Sequence, residues 1–348
     1  MAAPSSLFSA LSREDSVVAL EIIKSAPANV SFSEINENGY SALHFASSKG
    51  YLGVIEALIA KGSNVNQATD AGTPLQVAIL SGQIAALRTL LKNKAEPNQC
   101  SNNLPSPLVL AISRACSQCF YALIDAGADL DLESLGCSPL NVAINHNEHF
   151  MVQKLMISGA DCSVADTAGL TPLEYAAVSR QTKILNYLMA FIDPIDSCPV
   201  WTVAGIIQRL NSPKELSNIE IKLKQKSENL ITHGDVAELD GKMEIAIFWY
   251  SEALIADPTN HEAWANRSRC YYKLNACHDA LVDAESFIRL APQLPEGYIR
   301  KAEACEQLGK YADAASAYLE ASNLDPEQQA YLEGYNQALQ KHLDNLDF

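Results

Sequence analysis

Residues 263–326 read AWANRSRCYYKLNACHDALVDAESFIRLAPQLPEGYIRKAEACEQLGKYADAASAYLEASNLDP. Pro292 and Pro326 each close a segment, and one further equal step toward the N-terminus reaches Pro258. A period of this size marks a repeat that cannot bury its apolar face alone and must stack on its neighbours. With the prolines as closing positions, other positions fall into register: Ala246, Ala280 and Ala314; Ala253, Phe287 and Ala321; Gly234, Ser268 and Ala302; and the large side chains Leu230, Trp264 and Tyr298. Small residues let two helices cross closely, and large ones fill the gaps beside them, so each unit is expected to be a helix pair. Residues 327–348 carry Tyr331, Tyr335, Leu339 and Leu343 at roughly helical spacing and are expected to form a final helix that caps the stack.

A second period fills the first half of the chain. Five segments share one pattern: GYSALHFASSKG from Gly39, GTPLQVAILSG from Gly72, LPSPLVLAISRA from Leu104, GCSPLNVAINHN from Gly136 and GLTPLEYAAVSR from Gly169. Their helix-opening hydroxyls, Ser41, Thr73, Ser106, Ser138 and Thr171, recur at a nearly constant step. A Ser or Thr hydroxyl accepts from free N–H groups at a helix start, and Pro fits the first helical position. Leu43, Leu75, Leu108, Leu140 and Leu173, each followed three residues on by Ala46, Ala78, Ala111, Ala143 or Ala176, form an apolar stripe. The pairs Leu58–Ile59, Leu90–Leu91 and Leu123–Ile124 are expected to face inward from the second helix, and Gly62, Gly127 and Gly159 to end it in the left-handed conformation. A degenerate opening unit spans residues 7–25, with Leu11, Val18, Leu20 and Ile22 apolar, which makes six units.

On these residues the first half resembles the ankyrin repeat, whose consensus carries G-x-T-P-L-H-x-A, over about residues 6–192. The second half resembles the tetratricopeptide repeat (TPR) in three copies, over about residues 227–326. The resemblance implies an all-α chain: an ankyrin-repeat solenoid over 1–192, a helical connector over 193–226, and a TPR domain of three repeats plus capping helix over 227–348. In the connector, Pro194, Pro199 and Pro213 are read as helix breakers, residues 201–210 as a short helix, and Trp201 as packing on one array. The combination is similar to plant ankyrin–TPR fusions. The consensus His survives only at His44, while Gln76, Val109, Asn141 and Glu174 stand at the equivalent places. That His usually makes structural hydrogen bonds, so its absence predicts local losses of stability, and His44 is read as structural rather than as a metal ligand or base.

The TPR phrasing resembles the co-chaperone type, in which five side chains clamp the acidic EEVD tail of the large heat-shock chaperones. The resemblance places those positions at Ile231, Asp235, Asn266, Glu296 and Arg300. Only Asn266 and Arg300 keep the family's residue. A Lys has become Ile231, an Asn has become Asp235 and a second Lys has become Glu296. Like charge at a partly desolvated contact opposes binding by several kcal/mol. Residues 227–348 hold nine Lys and Arg against 21 Asp and Glu, most of the whole chain's net charge of −16. The groove is therefore expected to have lost its usual ligand and to favour a neutral or basic segment, with Asn266, Arg300, Arg269, Tyr272 and Lys273 as the candidate contact residues.

The remaining features set exclusions. An acidic chain repels nucleic-acid phosphates and anionic lipid, so neither is an expected partner. The first residues, MAAPSSLFSALSREDS, lack the basic and apolar regions of a secretory signal, and no run of 18 apolar residues exists. Nine cysteines, an odd number, fit free thiols in a reducing compartment. Cys116-x-x-Cys119 is a single CxxC with no second pair and is read as packing. No phosphate-binding Gly loop, G-x-S-x-G or H-E-x-x-H occurs. The expected function is a non-catalytic, cytoplasmic or nuclear protein-interaction adaptor without metal or cofactor. The alternative is a co-chaperone-like adaptor with weakened or altered tail binding.

Overall fold

A computed structural model describes residues 2–27, 30–36, 39–194 and 200–345. Cys198 and Pro199 lie outside them. The described residues form helices joined by short turns, with isolated β-bridges such as Thr69–Gly72 and Ser134–Cys137. The chain divides into two compact units, residues 1–222 and 223–348.

The first unit is built from six helix pairs: α1 (Ala2–Ser12) with α2 (Ser16–Ser25), α3 (Ala42–Lys49) with α4 (Leu52–Ala60), α5 (Pro74–Leu80) with α6 (Ile84–Lys92), α7 (Pro107–Ser113) with α8 (Ser117–Asp125), α9 (Pro139–Asn145) with α10 (His149–Ile157), and α11 (Pro172–Val178) with α12 (Thr182–Met189). Each predicted hydroxyl caps its helix: Ser41, Thr73, Ser106, Ser138 and Thr171 accept from the N–H three residues on. The Leu and Ala stripe is buried throughout. Of the three apolar pairs on the second helices, only the first members Leu58, Leu90 and Leu123 are fully buried; Ile59, Leu91 and Ile124 are half-buried. Successive helical residues point about 100° apart, so both members of a pair cannot face the core. In the opening pair the inward residues are Leu7, Leu11, Ala19 and Ile23, whereas Val18 is exposed.

The substituted His positions differ from expectation. Ser41 N–H donates to His44 Nδ1 (3.2 Å), so the proton sits on Nε2, which donates to the Gly72 carbonyl at 3.0 Å. Gln76 rebuilds the same two-ended bridge. Its Oε1 accepts from Thr73 N–H (2.8 Å), and its Nε2 donates to the Pro105 carbonyl (2.7 Å). At Val109 the next repeat supplies the acceptor, Ser134 Oγ, to Ser106 N–H (2.7 Å). Asn141 reaches the Leu170 carbonyl at 3.4 Å with its Oδ1 left buried and unpaired. The expected loss thus falls on Asn141, while Gln76 is an effective replacement. A second ladder links the turns: Asn66, Asn98 and Asp131 each offer a side-chain oxygen to the backbone N–H of Glu96, Asp129 and Asp161, all at 2.8 Å.

After α12, helix α13 (Val203–Leu210) packs on α11 and α12, with Trp201 half-buried just before it. Pro213 does not break a helix but starts one. Helix α14 (Pro213–Leu239) is continuous through residue 227, where the TPR segment was expected to begin, and the division between units falls inside it. Proline at a first helical turn removes only an N–H that has no partner anyway.

The second unit continues with α15 (Met243–Ala256), α16 (His261–Lys273), α17 (Cys277–Leu290), α18 (Pro295–Gln307), α19 (Tyr311–Leu324) and α20 (Gln329–Asp344). Ala246, Ala280, Ala314, Ala253, Phe287 and Ala321 are buried, as their shared register predicts. The period also appears in polar bonds. Trp264 Nε1 donates to the Pro258 carbonyl (3.0 Å), and one period later Tyr298 Oη donates to the Pro292 carbonyl (3.2 Å). Helix α20 covers the last pair through Ala338, Tyr335 and Leu339, but Leu343 is exposed.

Candidate protein-binding groove

The candidate contact residues sit on the first helix of each pair: α14, α16 and α18. On α14, Ile231, Asp235 and Glu238 are spaced four and three residues apart and share a face. Gly234 lies beside them, and Tyr250 of α15 packs close against its backbone; a Cβ there would stand 2.4 Å from the ring. Tyr250 is fully buried and donates its hydroxyl to Asp235 Oδ1 at 2.7 Å, with Glu238 Oε2 at 3.2 Å. Burial, and then the two carboxylates, push its phenol well above the usual range, so it stays a donor.

Helix α16 answers from the other side. Asn266 Nδ2 donates to Asp235 Oδ1 at 3.0 Å. Arg269 grips Glu238 with both Nε (2.6 Å) and Nη2 (2.7 Å), and Lys273 Nζ adds a third bond at 2.8 Å. Burial disfavours the Glu238 carboxylate, but the bonds and charges of Arg269 and Lys273 outweigh it and hold its pKa at about 2. On α18, Arg300 is bracketed by Glu296 (3.2 Å) and Glu303 (3.0 Å) of its own helix, and its Nε is buried with no protein acceptor.

The structure therefore brings Asp235, Asn266, Arg269 and Lys273 into one network, and sets Glu296 and Arg300 as a pair on α18. Ile231 is buried, and Tyr272 is half-buried and takes no part in the network. Sequence reasoning missed Glu238 and Tyr250. The signal for Glu238 was its position one turn after Asp235. Arg267, two residues before Arg269, is on a different duty: its guanidinium forks onto Asp283 (2.8 Å twice), reaches Ser251 and stacks near Trp264. Among the described residues no group of three or more His, Cys, Asp or Glu is placed to hold a metal, and no helix is long and apolar enough to cross a membrane.

Stacked helix pairs joined by short turns define a repeat protein whose surfaces are made for protein contact. The chain belongs to the ankyrin-repeat family: the family description "Ankyrin repeats (3 copies)" matches residues 7–101, 90–166 and 108–197, and a tetratricopeptide repeat matches residues 295–328. Over 143 residues it is 34% identical to Tetratricopeptide repeat protein 28 of Mus musculus, which covers 41% of this chain and 6% of that protein. It is 35% identical over 96 residues to Hsp70-Hsp90 organizing protein 3 of Arabidopsis thaliana, covering 28% of this chain and 17% of that one. The match thus spans a small part of either relative. The crystal structure of the ankyrin repeat domain of Bcl-3 superposes with a TM-score of 0.51 at 21% identity, over 59% of this chain and 97% of that one, a likeness of fold.

Proposed function

We propose that this chain is a non-catalytic adaptor that holds one protein on its ankyrin repeats and a second in the groove of its C-terminal unit. In this reading residues 1–192 form the ankyrin surface, 193–226 the connector and 227–348 the TPR domain. Asn266, Arg269, Tyr272, Lys273 and Arg300 line the groove. Tethering two partners on one chain raises the effective concentration of each for the other. The observation that carries the choice of ligand is internal pairing: Arg269 and Lys273 are already paired with Glu238, and the two Nη atoms of Arg300 with Glu296 and Glu303. An incoming carboxylate must displace one that is held by charge-assisted bonds and must approach Asp235 and Glu296 as well. The groove suits a neutral or basic segment, and the adaptor acts in the cytoplasm or nucleus.

The relative named Hsp70-Hsp90 organizing protein, together with the retained Asn266 and Arg300, supplies the rival reading of a co-chaperone-like adaptor. Calorimetric titration of the full chain with a peptide ending in EEVD, beside a basic peptide of equal length, separates the two. No saturable binding of the EEVD peptide is the expected result. Micromolar binding at physiological salt that is lost in Arg300→Ala overturns the adaptor's ligand assignment.

A further inference from the structure

In the opening pair Asp15 caps α2 by accepting from the Val18 N–H; in the five repeats that follow, the second helices all open alike except one. Their cap positions are Tyr51, Gln83, Cys116, Glu148 and Gln181, and only the Cys116 side chain accepts a hydrogen bond from the helix it starts. That bond comes from the N–H of Cys119 at 3.3 Å. Three residues into each of these helices stands a buried apolar side chain: Val54, Ala86, Met151 and Ile184 in the others, and Cys119 here. Packing accounts for Cys119. It does not account for Cys116, which is half-buried at a position the other repeats give to a polar or aromatic residue.

The two sulfurs lie 2.6 Å apart. A disulfide bond is about 2.05 Å long, so the thiols are already close to bonding distance. Cys116 also sits at the N-terminal end of α8. Cys119 is screened from solvent, and its thiol is pushed up to about 12 by burial and then by Cys116, against a lowering influence from Arg88. The more exposed sulfur is the one that meets a reagent, and the buried one is reached only through it.

We propose that Cys116 and Cys119 form a redox modification site for low-molecular-weight disulfides of the glutathione class. The Cys116 thiolate attacks one sulfur of the disulfide. A mixed disulfide forms at Cys116, and one thiolate leaves and takes a proton. Cys119, having given its own proton to solvent, then attacks Cys116 Sγ and expels the second thiolate. Two protein thiols are oxidised to one disulfide and one small disulfide is reduced to two thiols, so excess thiol reverses the modification.

The test incubates the full chain with oxidised glutathione under native conditions, quenches with alkylating agent, and maps the product by intact and peptide mass. Wild type is expected to lose two hydrogens within the peptide that holds Cys116 and Cys119, and to recover them in excess reduced glutathione. Cys119→Ser is expected to stop at one glutathionyl group on Cys116, and Cys116→Ser to take up neither modification at Cys119. Because a polar group at the buried position can disturb folding, Cys119→Ala serves as the second variant, with far-UV circular dichroism as the check. Wild type that keeps both thiols in excess oxidised glutathione, or that joins Cys116 to any cysteine but Cys119, overturns the proposal.

Discussion

Glu238 of α14 takes both forks of the Arg269 guanidinium, at 2.6 and 2.7 Å, and so occupies from within the place a ligand carboxylate would seek. Glu238→Gln keeps the shape of the side chain and removes its charge. Arg269 and Lys273 then face the groove with a weaker internal partner. Affinity for an acidic peptide is expected to rise about tenfold, equivalent to about 1.4 kcal/mol, and to fall again with added salt. Peptide titration of the two proteins side by side reads the effect; an unchanged or weaker affinity counts against internal pairing as the block.

His44 ties stability to pH. Its ring is fully buried and neutral, its Nδ1 already receiving the Ser41 N–H, and burial lowers its pKa from 6.5 to about 4 despite bonds to the Gly72 and Gln67 backbone. Between these values the unfolded chain binds a proton that the folded chain does not. Stability is therefore complete above pH 6.5 and declines as pH falls toward 4, by up to about 3 kcal/mol from this group. Glu238 adds a lower window: its contribution is present above 4.5 and is lost as pH falls through about 2. His44→Gln copies the bridge that Gln76 makes one repeat on. Urea denaturation at stepped pH should show nearly unchanged stability at pH 7 and a flattened slope between 6.5 and 4.

Lys94 sits at φ 66° where the neighbouring repeats place Gly62, Gly127 and Gly159. A left-handed conformation strains a residue with a Cβ by about 1–2 kcal/mol. The Lys94 side chain is exposed, so Lys94→Gly removes strain and little packing. A gain of about 1 kcal/mol in denaturant unfolding is expected, reduced somewhat by the freer unfolded chain.

Gly234→Ala tests the platform beneath the groove. The new methyl meets the Tyr250 ring at 2.4 to 2.9 Å, so the ring or α14 must shift. Destabilisation of about 1–3 kcal/mol is expected, as for other overpacked cores. The hydroxyl bond to Asp235 should break with it, visible as a change in tyrosine fluorescence and a lower melting temperature.

The register of both arrays was legible in the sequence because a period is a local signal: hydroxyl, proline, leucine and alanine recur at fixed steps and need no knowledge of neighbours. What faced inward was less so. Ile59, Leu91, Ile124, Val18 and Leu343 are apolar, yet helical geometry turns them away from the core. Pro213 looks like an end in the sequence and is a beginning in the structure, since the same ring that breaks an interior turn fits a first one. At the groove, the clamp positions could be placed by alignment of motifs, but the pairing of Arg269 and Lys273 with Glu238 joins residues 31 and 35 apart across two helices. No one-helix pattern shows that, and the closeness of Cys116 and Cys119 depends on a cap conformation that spacing alone does not specify.

The turn ladder of Asn66, Asn98 and Asp131 has a bearing on ancestry. Each rung reaches from one unit to the same atom type in the next at the same length. A cut at one rung and a splice at the next rejoins every donor to an acceptor. Adding or removing a whole repeat keeps every rung, so copying and loss of entire segments is a route by which such a chain changes its reach.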